Sequence, residues 1–241
     1  MPVSLVMPVY NEEEIIEEVV RQWYSQVVDK IDGSEFIIVN DGSTDYTFDI
    51  LQRLKPEFPY LRIISFQHNS GHGKAVREGF SQAKNALIFQ LDSDNQFRAD
   101  DFWKLHCLIE NNDIVLGFRN PRRDRLHRRV ISLLLRFVNA AIFGIWIKDI
   151  NCPFKLIRIN VLGDVVKEVP ETCIFFPILM LIVAKRKKYR IAEVRVSHYA
   201  RKTGKGTLIN VALIKGCFFC LKDILKLKSS LLVKGLLKEQ V

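Results

Sequence analysis

Asp92 and Asp94 stand two residues apart in Leu91-Asp92-Ser93-Asp94-Asn95-Gln96, directly after the apolar run Ala86-Leu87-Ile88-Phe89. Two carboxylates at the mouth of a strand form a hard-oxygen site. Such a site suits Mg²⁺ or Mn²⁺ carrying a phosphate-bearing substrate. The same pair also occurs in ordinary turns, so its surroundings decide the reading. Groups that would hold an anion lie further on: Arg119 with Arg122, Arg123 and Arg125, and Arg201 with Lys202 and Lys205. Guanidinium forks bind phosphate in a bidentate manner.

The elements that must position these residues alternate. Val3 to Met7 reads as a strand ending at Pro8, and Glu12 to Val28 as a helix with Asn11 at its N-cap and acids in its first turn. Phe36 to Val39 is a strand stopped by Asn40-Asp41-Gly42-Ser43, and Asp45 to Leu54 a helix. Leu61 to Ser65, Gly73 to Lys84 and Ala86 to Leu91 continue as strand, helix and strand. Repeated β–α units with near-continuous apolar strands predict an α/β fold with a parallel sheet covered on both faces. Ligands of such sheets bind at the carboxyl ends of the strands. Pro8 to Glu12, Asp41 and the Asp92/Asp94 pair all fall there.

The 241 residues carry a net charge of +9, split sharply: residues 1–118 hold −9 and residues 119–241 hold +18. A basic second half implies an anionic partner such as a membrane surface or a phosphorylated substrate. Basic residues from Arg119 to Arg129 lack interleaved aromatics, which argues against nucleic acid. Five cysteines without paired metal-ligand spacing, and no signal-peptide pattern, predict reduced thiols in a cytoplasmic setting. Val130 to Ile147 is strongly apolar, yet Arg129, Ser132, Arg136 and Asn139 recur at spacings of three and four. That stripe predicts a helix at a membrane interface or against the core rather than one that spans. Ile174 to Ala184 is too short to span, and a strand is expected over Tyr189 to Ser197. From Leu208 the chain is apolar and lysine-punctuated, with Lys215, Lys222 and Lys226 on one side of a helical wheel. The expected division is residues 1–207 as the main domain and 208–241 as a basic amphipathic C-terminal helical extension.

Pro8-Val9-Tyr10-Asn11-Glu12, Val39 to Asp45 and Asp92-Ser93-Asp94 resemble family 2 glycosyltransferases of the GT-A fold. That resemblance implies a Rossmann-like, mostly parallel central sheet with helices on both faces, plus C-terminal interfacial helices. Asn69 to Ala75, Gly117-Phe118-Arg119, Asp149 to Lys155 and His198 to Lys205 resemble the dolichyl- or polyprenyl-phosphate sugar transferase branch, so the similarity covers about residues 3–210. Two positions depart from that branch: Pro153 and Gly206 stand where Gly and Ser are usual. The resemblance implies that Pro8, Tyr10, Glu12, Asp41, Lys74 and Asp92 hold the nucleotide sugar. It assigns the divalent ion, Mg²⁺ or Mn²⁺, to Asp92, Asp94 and Gln96. It gives the acceptor and donor phosphates to Arg119, Arg201 and Lys205.

The expected reaction is an inverting, metal-dependent transfer of a hexose, of mannose or glucose type, from a nucleotide sugar to a polyprenyl or dolichyl phosphate. A lipid phosphate is already ionised and attacks directly, whereas a hydroxyl acceptor needs a carboxylate base. The expected catalytic set is Asp92, Asp94, Arg119 and Arg201. The expected location is cytoplasmic and peripheral to a membrane, with a membrane-protein partner as an added anchor. Two alternatives stay open: a family 2 transferase with a saccharide or other hydroxyl acceptor, and a non-catalytic, basic membrane-binding protein.

Overall fold

A computed structural model describes residues 1–121, 126–200 and 210–235. Seven strands form one sheet in the order β3-β2-β1-β4-β6-β5-β7. They are β1 (Val3–Val9), β2 (Glu35–Asn40), β3 (Leu61–Ser65), β4 (Leu87–Gln90), β5 (Ile114–Arg119), β6 (Lys155–Arg158) and β7 (Ile191–Val196). The helices are α1 (Ile16–Gln26), α2 (Thr47–Leu54), α3 (His72–Gln82), α4 (Asp100–Leu108), α5 (Leu126–Phe143), α6 (Ile159–Val166), α7 (Phe176–Arg186) and α8 (Asn210–Val233).

Strand side chains point alternately to the two faces of a sheet, and both faces here meet apolar partners. Leu5, Met7, Phe36, Ile38 and Phe89 pack on one side with Trp23 of α1 and Phe102 of α4. Val6, Ile37, Val39 and Ile88 pack on the other with Val76 of α3 and Leu179 of α7. Burial on both faces explains why the strands read as unbroken apolar runs.

Several boundaries differ from the sequence expectation for local reasons. β1 runs on through Pro8, which pairs in register with Val39; its missing N–H costs little at the last turn of pairing. Asn11 does not cap α1. Its φ of 53° makes it a left-handed turn residue, and Glu12 O accepts from Ile15 N and Ile16 N, so the helix starts at Ile16. α2 starts at Thr47, whose N–H donates to Asp45 Oδ1 at 3.0 Å. The sheet is mostly parallel, with β6 antiparallel to both β4 and β5.

The basic second half forms a helical wall. Ser132 and Asn139 of α5 are buried, while Leu134 and Phe137 are 58% and 55% exposed. Ser132, Arg136 and Asn139 of the polar stripe therefore face inward: Ser132 Oγ accepts from Asn151 Nδ2 at 3.3 Å, and Arg136 Nη1 donates to the Lys148 carbonyl at 3.0 Å. α8 lies beside α5 and α7 and buries Ile224, Leu227 and Leu231 in the same cluster as Leu179. Asp223 fixes it, accepting from Ile174 N and Phe175 N at 2.6 and 3.1 Å. No helix among the described residues is long and apolar enough to cross a membrane.

Candidate active site

The loops leaving β1 and β2 are latched together at the carboxyl edge of the sheet. Asn11 N donates to Ser43 Oγ at 3.0 Å, and Asn11 Oδ1 accepts from Thr44 N at 2.8 Å. Glu12 N donates to Thr47 Oγ1 at 2.8 Å. This latch presents Tyr10, half-buried, beside the buried Glu12, with Pro8 buried in the strand behind them. Asp41 is buried, and its two oxygens accept from Ser70 N at 2.7 Å and Gly71 N at 2.9 Å. The carboxylate thus holds the loop that enters α3, in whose first turn Lys74 is exposed.

Gly42 makes that loop possible. Its φ is +66°, and an added Cβ would meet the backbone of His68. Gly73, in the first turn of α3, lets the Ile174 carbonyl come closer than any side chain permits. Gly73→Ala is expected to cost about 1–3 kcal/mol by forcing α3 away from the α6–α7 connection, read as a fall in the midpoint of chemical unfolding.

Asp92, Asp94 and Gln96 follow β4. Asp94 Oδ1 accepts from Gln96 N at 3.2 Å, and Asn95, at φ 54°, turns the chain so that both carboxylates edge one cavity. Asp92 Oδ1 is buried without a hydrogen-bond partner among the described residues, and His72 Nε2 stands 4.0 Å from it. Gln96 Nε2 donates to the Tyr199 carbonyl at 2.9 Å, and the residue lines the same cavity. No group of three or more His, Cys, Asp or Glu able to hold a metal occurs among the described residues. The two carboxylates and an amide oxygen still fit a Mg²⁺-like ion, which commonly takes only one or two carboxylates and fills its other positions with phosphate oxygens and water.

Arg119 ends β5 and is committed to Asp149. Nε and Nη2 donate to the two carboxylate oxygens at 2.7 and 2.9 Å, with both side chains nearly buried. The guanidinium enters the site already anchored. Lys155 opens β6, fully buried, and donates to the Cys152 carbonyl. Burial pushes its ammonium down to about 8, while Asp92 and Asp149 act to hold the charge. The motifs assign no role to Lys155 or to the buried Gln90; the available signal for Gln90 is a polar residue at the end of the apolar run of β4. Arg122, Arg123, Arg125, Arg201, Lys202, Lys205 and Gly206 lie outside the described residues, as do the side chains of Arg129 and Lys215.

All of this opens into a cavity of about 540 Å³. The sheet edge contributes Gln90, Asp92, Asp94, Arg119 and Lys155 to its lining. The helices contribute Leu135 and Val138 of α5, Ile178 of α7, and Cys220 and Ile224 of α8. Leu134 and Ile174, which also line the cavity, are exposed, as are Phe137 of α5 and Phe218, Phe219 and Leu225 of α8.

Comparison with known proteins agrees with this arrangement. Residues 4–166 match the family described as glycosyl transferase family 2. The chain is 30% identical over 208 residues to the dodecaprenyl-phosphate galacturonate synthase of Rhizobium johnstonii, covering 85% of this chain and 61% of that protein. It is 28% identical over 213 residues to a dolichyl-phosphate beta-glucosyltransferase of Trichomonas vaginalis, covering 80% and 64%. The chain thus spans about three-fifths of the length of the curated relatives it matches. Among solved structures, glucosyl-3-phosphoglycerate synthase from Mycobacterium tuberculosis in complex with UDP superposes with a TM-score of 0.69 at 19% identity, covering 95% of this chain and 80% of that one. The fold is therefore GT-A, and with the family match spanning about two thirds of its length, the chain belongs to glycosyl transferase family 2.

Proposed function

We propose that the chain moves a hexose, of mannose or glucose type, from a nucleotide sugar to a polyprenyl or dolichyl phosphate, with inversion, at the cytosolic face of a membrane. The observation that carries this reading is the mixed lining of the cavity. Its carboxylates and the braced Arg119 suit a diphosphate and a reacting centre, and its apolar walls suit a long hydrocarbon. Two relatives named for polyprenyl-phosphate chemistry support the same acceptor class.

In this reading Pro8, Tyr10, Glu12 and Lys74 hold the nucleotide, and Asp41 fixes the loop beside it. Asp92, Asp94 and Gln96 would hold Mg²⁺ or Mn²⁺, which supplies Lewis-acid stabilisation of the departing diphosphate. The acceptor phosphate is already anionic, so the residues need only position it and offset its repulsion from the donor. Arg119, braced by Asp149, would do so together with Arg201 and Lys205. Attack from the face opposite the leaving group inverts the anomeric centre. Residues 1–207 would carry the reaction, and 208–241 would add the wall that guides the lipid.

The inverted amphipathy of α5 supports peripheral attachment. Apolar side chains around the cavity mouth would enter the interface, with exposed basic groups such as Lys222 nearby; a membrane-protein partner would add to that hold. Phe137→Glu with Leu134→Glu is expected to reduce flotation with anionic liposomes by about tenfold, and unchanged flotation contradicts this surface. The acceptor assignment is tested by offering the enzyme a polyprenyl phosphate, the matching unphosphorylated polyprenol and free saccharides. Transfer to the phosphate alone is the expected outcome. Transfer to saccharides replaces it with the hydroxyl-acceptor reading.

A further inference from the structure

We propose that Gln90 and Lys155 form a subsite that reads one hydroxyl of the transferred sugar, an inference that rests on the transferase reading above. Gln90 is the last residue of β4 and Lys155 the first of β6, and they are direct partners in the antiparallel register. Their side chains therefore rise on the same side of the sheet with Cβ atoms about 5 Å apart. They are 1% and 2% exposed, and both line the cavity.

Each is a buried polar residue at the end of a short strand, where an unsatisfied polar atom is costly. The hydrogen-bond inventory is nevertheless incomplete. Gln90 Oε1 has no partner among the described residues. Lys155 has three donors and gives one to the Cys152 carbonyl.

What completes this pair is a group that both accepts and donates. A phosphate or carboxylate oxygen only accepts, so it would serve Lys155 and leave Gln90 Oε1 without a donor. A sugar hydroxyl accepts from the ammonium and donates to the amide oxygen. Position agrees with chemistry. Asp92 follows Gln90 by two residues, which puts the pair beside the proposed diphosphate site, while the apolar walls beyond it are unsuited to a sugar. A site built to bond a hydroxyl rejects the analogue that lacks it, because its own buried groups are then left unpaired.

The test is a hydroxyl scan by equilibrium binding in the presence of Mn²⁺. Its probes are UDP and GDP alone, then UDP-glucose, UDP-galactose, UDP-galacturonate and GDP-mannose, then analogues of the tightest sugar each lacking one ring hydroxyl. The unaltered protein is expected to lose roughly 10- to 100-fold in affinity for one of these analogues. In Gln90→Met that difference shrinks to about unity, with the nucleoside diphosphate bound as before. Lys155→Met, read in the same way, covers the case in which Gln90→Met does not fold. A full deoxy penalty retained in the variants overturns the subsite, as does equal weakening of the diphosphate and its sugar. Failure of every nucleotide sugar to bind overturns the transferase reading and the subsite together, whereas binding without the coupling overturns the subsite alone.

Discussion

Asp92→Asn is expected to lower sugar transfer by about 100- to 1,000-fold, the equivalent of roughly 3–4 kcal/mol of lost transition-state stabilisation. The fold should survive, because the Asp92 side chain is 33% exposed and its Oδ1 holds nothing in place by a hydrogen bond among the described residues. An amide keeps the shape and gives up the charge that would bind a divalent ion. Initial rates at several Mn²⁺ concentrations, with thermal unfolding measured alongside, separate the two effects. Full activity in both Asp92→Asn and Asp94→Asn removes the ion from these residues. A loss of rate accompanied by a lowered unfolding temperature assigns Asp92 a structural role instead.

Asp149→Ala should be the most destabilising single change near the site, at about 3–5 kcal/mol. The mutation leaves the Arg119 guanidinium, 10% exposed, without the carboxylate that meets it at 2.7 and 2.9 Å. Two buried partners together cost far less to replace than one left alone. Arg119→Met combined with Asp149→Leu is therefore expected to recover most of the stability and none of the transfer activity. Denaturant titration of the single and double variants measures the first, and a rate assay the second. Similar stability for Asp149→Ala and the unaltered protein would mean that water reaches the guanidinium easily.

Much of this molecule is legible in its residue pattern, for identifiable reasons. Strands β1, β2 and β4 are buried on both faces, so their composition is largely apolar and they stand out from the amphipathic helices between them. Asp41 and the Asp92/Asp94 pair are legible because carboxylates at strand ends interrupt those runs. What escaped has the opposite character. β6 has four residues, Lys-Leu-Ile-Arg, whose two charges hide a strand, and its antiparallel direction is set by distant pairing that no local pattern encodes. The inward polar stripe of α5 was visible, but its direction was not: only the partners at Asn151 and Lys148 show that Ser132 and Arg136 face the protein. Asn11 looked like a helix cap because it precedes three glutamates, yet its side chain is spent on Thr44 across the site. Lys155 and Gln90 acquire meaning only when β4 and β6 lie side by side.

The most direct measurement mixes the purified protein with Mn²⁺, vesicles containing a polyprenyl phosphate, and labelled nucleotide sugars offered one at a time, then counts the label extracted into organic solvent. Label entering the lipid phase from one donor, and lost when the metal is chelated, is the expected result. Donor that is bound or hydrolysed while the lipid stays unlabelled contradicts the lipid-phosphate acceptor.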